Sequence, residues 1–246
     1  MFEEPPCALT NVLMRNRELK LSLRNCVLEA IDRCNLHQHQ LSEESKLFEA
    51  FMHITDVVEQ EGAYLSSMGK ELQYHNRAHF ADVVTCLSYF LKYSKNVSRR
   101  DALLALIVGV SHDLCHQGKT NKELQASQEE LTANTVTMKL KEYLSEKELV
   151  TIKKLIIGTD PLLVYDNHRQ YLQEPLDIYL YLQVLINEAD IFASLLPVLD
   201  IKLTKSLLQE TGTKNPTAFE ISELLVAFKS QAMISTVVAS YFLSHD

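Results

Sequence analysis

Residues 103–121 read LLALIVGVSHDLCHQGKTN, an apolar segment that ends directly in a histidine and an aspartate. The apolar run predicts a buried helix, and Ser98 followed by Asp101 is a capping arrangement typical of its start. An imidazole and a carboxylate at the end of a buried helix are costly unless a cation or hydrogen bonds compensate them. Neutral imidazole and ionised carboxylate together suit zinc and comparable divalent ions, so His112 and Asp113 are candidate metal ligands.

Two other stretches place ionisable residues in similar settings. Asp190 lies between the apolar segments IYLYLQVLINEA and IFASLLPVL, where a lone carboxylate needs a partner. In YHNRAHFADV, residues 74–83, His75 and His79 are four residues apart, which on a helix would project both imidazoles from one face. An isolated pair with this spacing is more often two polar residues on a helix surface. Here it accompanies the other candidate ligands, so a shared metal or a division of labour is favoured.

The remaining sequence predicts an all-α fold. With 6 Gly and 6 Pro in 246 residues, the chain has too few turn-forming residues for a many-stranded sandwich or barrel. Apolar residues three and four apart indicate amphipathic helices, and Ser145 followed by Glu148 marks a further helix start. We expect helices over 41–65, 122–143, 175–196 and 217–243, the last of them buried on several sides. The stretch over 158–174 is expected to be irregular.

Length and charge limit the domain count and the partners. The 246 residues fit one domain over 1–246, with an N-terminal helical extension over 1–40. The 24 basic and 32 acidic residues give a net charge of −8, which disfavours general binding to nucleic acid or anionic membranes. The sequence has no continuous run of about 18 apolar residues, so we expect no membrane-spanning helix. Five scattered cysteines without a C-x-x-C pair suit reduced thiols, and the N-terminus does not resemble a secretory signal, so we expect a cytoplasmic protein.

The candidate ligands occur in a familiar order. His79, His112–Asp113 and Asp190 resemble the H…HD…D metal set of the HD-domain metal-dependent phosphohydrolase superfamily. YHNRAHFADV is similar to the YHNxxHAxDV signature of its class I cyclic nucleotide phosphodiesterases, and SHDLCHQGKTN is similar to their HDxxHxGxxN signature. The resemblance implies a helical bundle of the HD/PDEase type with its metal site between helices.

Weaker similarities follow in the family's order at Thr159–Asp160, at the EADI around Asp190 and at Gln231, which ends KSQ. Residues 74–231 would therefore form the catalytic core. Ile234 stands where the family usually has a phenylalanine that stacks on the base, and Ala193 replaces an expected asparagine.

The resemblance implies a metal role for four residues. His79, His112, Asp113 and Asp190 would hold a tightly bound ion, zinc, and Asp113 would bridge to a second ion, magnesium or manganese. Two such ions can lower the pKa of a water between them and make hydroxide available to attack phosphorus.

The other matched residues would act around the metals. His75 would be the general acid that protonates the departing 3′ oxygen. Five residues would support the ligands or the loop that carries them: His116, Asn121, Asp82, Glu130 and Thr159. Three would contact the substrate: Tyr74, Gln231 and Ile234.

The activity implied is hydrolysis of a 3′,5′-cyclic nucleotide, cAMP and/or cGMP, to the 5′-monophosphate. Two alternatives stay open: another HD-domain phosphohydrolase such as a 5′-nucleotidase, and a non-catalytic sensor that binds a nucleotide. Nucleotidases of this superfamily do not generally need the His75-type acid, and a degenerate sensor would not need the complete metal set. The expected partner is a small-molecule cyclic nucleotide, and a homodimer is left open.

Overall fold

The computed structural model describes residues 4–37, 42–119, 127–174 and 176–244. In these ranges the chain forms twelve α-helices and no strand, which confirms the all-α class. The helices are α1 (Cys7–Glu18), α2 (Leu23–Arg33), α3 (Ser42–Ser67), α4 (Arg77–Tyr93), α5 (Arg99–Ser111), α6 (Gln128–Leu140), α7 (Glu146–Ile157), α8 (Pro161–Gln173), α9 (Ile178–Leu195), α10 (Asp200–Glu210), α11 (Ala218–Gln231) and α12 (Val237–Leu243).

Three helices form the centre of the core. All residues of α5 from Ala102 to Ser111 are buried, and α4 is buried from His79 to Leu91. Helix α9 packs against α4, where Phe90 and Phe192 meet edge to face with ring centroids 5.3 Å apart. Helices buried on all sides must lie between other helices, and α3 covers α5 while α2 covers α4.

The predicted capping arrangements are confirmed. Ser98 accepts a hydrogen bond from the backbone N–H of Asp101 at the start of α5. Ser145 and Glu148 form a complete capping box at the start of α7. These bonds satisfy N–H groups that a helix cannot satisfy internally, so the sequence determines both starts locally.

The helix predicted over 41–65 is present as α3. The one predicted over 122–143 is shorter, because α6 begins at Gln128, where Ser127 accepts the N–H of Glu130. Residues 120–126 lie outside the described part of the chain.

The prediction of an irregular stretch over 158–174 is wrong, because α8 occupies most of it. The side chain of Asp160 accepts the N–H of Leu162, and Pro161 takes the first helical position. Proline is well tolerated there because its missing N–H would have no partner within the helix. The Asp-Pro pair that suggested a loop is therefore a helix start.

The single helix predicted over 217–243 is also wrong. It is divided into α11 and α12 by residues 232–236, and Thr236 caps the second helix by accepting the N–H of Ala239. No residue of α11 is buried, whereas burial on several sides was expected. Its apolar composition reflects a helix that packs mainly on its neighbour α10.

The predicted N-terminal helices are α1 and α2. Leu13 and Val27 are both 0% exposed and belong to the same hydrophobic cluster as the central helices. By length and composition alone, α9 would be able to cross a membrane, contrary to the sequence expectation, and 61% of its residues are buried inside the protein. Core helices pass the same test, so this property is weak evidence for a membrane span.

Truncating a central ring should cost much more stability than truncating an exposed one. Phe90 is 0% exposed and Phe219 is 69% exposed. We expect Phe90→Ala to lower the free energy of unfolding by about 3–5 kcal/mol, because it loses buried area and leaves a cavity. Phe219→Ala should change it by no more than about 0.5 kcal/mol. Urea denaturation followed by circular dichroism measures both, and equal losses would contradict this packing.

Candidate metal centre and active site

Two histidines and two aspartates converge where α4, α5 and α9 meet. His79 lies in the first turn of α4, His112 and Asp113 follow the end of α5, and Asp190 lies in α9. One ligand atom from each lies within 4.8 Å of the other three. The distances are 3.1 Å and 3.5 Å from His79 Nε2 to Asp190 Oδ1 and Asp113 Oδ2, and 3.3 Å and 3.2 Å from His112 Nε2 to the same two atoms.

The chemistry of these side chains fits a divalent metal ion. His79 and His112 are buried and the two aspartates are half-buried, so the group opens on its carboxylate side. Within the described residues, the buried Nε2 of His79 has no hydrogen-bond partner of acceptable geometry, although two carboxylate oxygens lie nearby. Imidazole nitrogens and carboxylate oxygens that point to one place are the ligand set of zinc and similar ions.

The ionisable groups perturb one another strongly. Burial alone would lower the pKa of His79, but the nearby carboxylates of Asp113 and Asp190 outweigh burial and raise the pKa to about 9. The same aspartates raise the pKa of His112 well above its usual value. In return, His112 outweighs burial and holds the pKa of both carboxyl groups below the usual range. Without a metal, the histidines therefore keep protons that a cation would replace.

His75 does not lie on the helix that carries His79, so the prediction of a shared helix face is wrong. Asn76 is the N-cap of α4 and accepts the N–H groups of Ala78 and His79. His75 lies just before this cap, in non-helical backbone. Its Nε2 is 3.9 Å from Oδ2 of Asp113, so its ring still faces the metal group.

Glu210 holds the other side of the His75 ring, and sequence reasoning missed it. Its Oε1 lies 2.5 Å from His75 Nδ1, and its Oε2 accepts the backbone N–H groups of Tyr74 at 2.7 Å and His75 at 3.0 Å. The carboxylate is 1% exposed, and its bond to His75 outweighs burial and lowers the pKa of Glu210. The one available sequence signal is a carboxylate in the last turn of α10, an unfavourable place in the helix dipole.

His116 lies against His75, with stacked rings whose centroids are 3.6 Å apart. Burial, with a smaller effect from His75, lowers the pKa of His116 to about 4, so its ring is neutral at pH 7. The N–H of Gly118 donates to its Nδ1 at 3.0 Å, and the amide nitrogen of Gln128 lies 3.2 Å from its Nε2. The ring is thus fixed in place beside His75.

A second group of possible ligand atoms comprises His75, His116 and Glu210. The two rings are nearly parallel, at 24°. A metal ion binds a histidine nitrogen in the plane of its ring, and two stacked rings cannot share one ion in this way. The arrangement suits a hydrogen-bonded histidine better than a metal site.

The other residues predicted to support the ligands do not contact the histidine group in the described contacts. Asp82 is buried and accepts a hydrogen bond from Nε of Arg17 in α1 at 2.9 Å. Burial raises the pKa of Asp82, and the contact with Arg17 offsets this effect only in part. Thr159 donates its hydroxyl to the carbonyl of Ile156 within α7, and Glu130 is exposed in α6. Gln128 rather than Glu130 reaches His116, and Asn121 lies outside the described residues.

The predicted substrate residues lie at two places. The Tyr74 hydroxyl is 2.8 Å from the Ser194 hydroxyl, and its ring centroid is 5.1 Å from that of His79. Gln231 is exposed at the end of α11, and Ile234 is half-buried in the following linker. Among the described contacts, Tyr74 touches the histidine group and the other two do not.

The fold and the site define an all-α protein with a candidate divalent-metal centre of the H…HD…D kind. A model of the 3′,5′-cyclic nucleotide phosphodiesterase family matches residues 74–154. The high affinity cAMP-specific and IBMX-insensitive 3′,5′-cyclic phosphodiesterase 8A of Mus musculus is 43% identical over 54 residues, which are 21% of this chain and 7% of that relative. The chain thus matches only a small part of that relative's length. Both matches fall on the part of the chain that carries the histidine motifs, and they confirm the resemblance to class I cyclic nucleotide phosphodiesterases found in those motifs.

Metal binding at pH 7 should release protons, because the nearby aspartates raise the pKa of His79 to about 9 and the pKa of His112 well above its usual value in the metal-free group. We expect about one to two protons per zinc ion, since an imidazole must be neutral to bind. Calorimetric titration in buffers of different ionisation enthalpy measures the number. His79→Asn should reduce both proton release and affinity, and His37→Asn, at an exposed histidine paired with Asp32, should change neither. Zinc binding without proton release would contradict the assignment.

Proposed function

We propose that this protein hydrolyses a 3′,5′-cyclic nucleotide, cAMP and/or cGMP, to the 5′-monophosphate. The observation that carries the proposal is the setting of His75. Its Nε2 faces Asp113 of the metal group at 3.9 Å, while its Nδ1 is held by Glu210 at 2.5 Å. The match of residues 74–154 to the phosphodiesterase family supports the same reaction class.

His79, His112, Asp113 and Asp190 would hold zinc, and Asp113 would also contribute to a second site for magnesium or manganese. When bound, such ions supply Lewis-acid stabilisation of the phosphate and favour ionisation of the attacking water. The half-buried carboxylates leave an open side from which a phosphate can approach the group.

His75 acts as the general acid. A carboxylate that accepts from Nδ1 keeps the proton of that nitrogen in place, so the opposite nitrogen is the one that exchanges a proton. His75 Nε2 gives its proton to the departing 3′ oxygen, and the Nδ1–H bond to Glu210 holds the ring in its orientation for this transfer. The neutral ring of His116 adds no competing charge beside it.

In this proposal, Tyr74, Gln231 and Ile234 contact the nucleotide. The side-chain amide of Gln231 can both donate and accept, so it can pair with either adenine or guanine. Ile234 offers an apolar surface to the base without aromatic stacking. Tyr74 lies beside His79, where it borders the phosphate end of the site.

We also propose a cytoplasmic location. All five cysteines are free, and Cys26 and Cys86 are buried in the core as reduced thiols. A reducing compartment preserves this state.

Chromatography of reaction products tests the proposed reaction. Metal-loaded protein is incubated with cAMP, cGMP and a panel of nucleoside monophosphates. We expect 5′-AMP or 5′-GMP from the wild type, no product from Asp113→Ala, and normal product from Asp166→Ala, in which the lost aspartate is exposed. Nucleoside and phosphate from the monophosphates alone would indicate a 5′-nucleotidase, and nucleotide binding without any turnover would indicate a sensor.

Replacement of His75 should separate its role from that of a ligand. We expect His75→Asn to lower kcat by about two to four orders of magnitude with metal content unchanged, because it removes the acid only. Glu210→Gln should also lower kcat with normal metal content, since its amide would face Nδ1 with a donor in place of an acceptor. Glu223→Gln, at an exposed position in α11, is the matched control. Steady-state kinetics and metal analysis are measured together, and loss of metal from His75→Asn would make His75 a ligand.

A further inference from the structure

A buried carboxylate holds the linker between α11 and α12. Glu188 of α9 is 0% exposed. Its Oε1 accepts the N–H groups of Ser235 at 2.5 Å and Thr236 at 2.8 Å, and its Oε2 accepts the Thr236 hydroxyl. One side chain thus satisfies two consecutive backbone donors of an extended segment and the capping residue of the next helix.

A second buried side chain contacts the same linker. His168 of α8 is 0% exposed, and its Nδ1 lies 2.8 Å from the hydroxyl of Ser235. Ile234, one residue earlier, packs against the hydrophobic core. Residues 234–236 are therefore held from two helices and from the core at once.

The linker begins immediately after Gln231, at a helix with little packing of its own. No residue of α11 is buried, and this helix packs mainly on α10. Near its C-terminal end, Lys229 donates to Asp200 of α10 at 2.6 Å, so the position of Gln231 depends on this contact and on what holds the residues that follow it. Two of the residues that follow, Ser235 and Thr236, are held by Glu188, which lies two positions before Asp190 on the same helix.

We propose that Glu188 is a positioning residue for nucleotide binding: it ties residues 232–236 to the helix that carries Asp190 and so fixes Gln231 and Ile234 relative to the metal centre. The inference rests on the proposed function, in which these two residues contact the base. Burial of a carboxylate is costly unless its oxygens are hydrogen-bonded, and here three donors offset that cost. A carboxylate suits the task because its two oxygens can accept from all three donors at once.

A purely structural role as an anchor for α12 is the competing explanation. It predicts that loss of Glu188 lowers thermal stability and leaves substrate affinity unchanged. The positioning role predicts a change in KM with a smaller change in kcat, because the metal ligands and His75 stay in place.

The decisive comparison is Glu188→Ala against Glu188→Gln in the metal-loaded full chain. Alanine leaves two N–H groups and a hydroxyl without their acceptor, and we expect KM for the cyclic nucleotide to rise about tenfold, with kcat changed less than about threefold and normal metal content. The amide oxygen of glutamine can still accept both N–H groups, so Glu188→Gln should keep KM within about threefold of the wild type. Glu223→Ala, at an exposed acid of α11, is the matched control.

An unchanged KM in Glu188→Ala, or a loss of metal together with kcat, would overturn the inference. If Glu188→Ala does not fold, Thr236→Val removes one of the same contacts, and it should raise KM in the same direction.

If the wild type turns over no cyclic nucleotide, the proposed function fails, and hydrogen exchange then tests the positioning directly. Glu188→Ala should accelerate exchange in peptides covering 231–236 and leave α4 unchanged. Equal exchange in wild type and variant would reject the inference by itself.

Discussion

The structure depends on the pairing of ionisable groups at the junction of α4, α5 and α9. Two buried imidazoles and two half-buried carboxylates share a volume in which every ligand atom lies within 4.8 Å of the others. Isolated charges at such a place would be strongly destabilising, and only mutual pairing or a cation makes the arrangement stable. The most buried helices of the fold are therefore those that meet here, because rigid packing is what holds four side chains in one fixed geometry.

Around this centre, the histidines divide their roles through backbone geometry. The cap at Asn76 ends the non-helical segment, so His79 points into the metal group from the first turn of α4 while His75 approaches from outside the helix. Glu210 then fixes His75 through the ring nitrogen Nδ1 and the backbone N–H, and it also accepts the backbone N–H of Tyr74. A four-residue spacing that would place two histidines side by side on a helix instead separates a candidate metal ligand from a histidine outside the helix.

The sequence predicts what is decided locally. The starts of α5 and α7 follow from Ser98 and Ser145, and the candidate ligand set follows from ionisable residues at buried helices in a familiar order. Glu210 could not be found this way, because its contact with His75 spans 135 residues of sequence and has no local pattern. The loop expected at Asp160 failed for another reason, since an Asp-Pro pair is compatible with both a turn and a helix start. Apolar composition likewise did not reveal that α11 is exposed, because burial depends on which neighbour is present.

The family match ends at residue 154, so it covers only part of the candidate site. Residues 74–154 contain His75, His79 and His112–Asp113, while Asp190 and the linker after α11 lie beyond the match. Helix α9 joins the two parts physically, because Asp190 faces the metal group and Glu188, two residues earlier, holds the linker. Any shift of α9 would therefore move a candidate metal ligand and the linker together. Sequence change in the C-terminal helices can alter the linker's surroundings without touching the histidines, as long as α9 keeps its packing against α4.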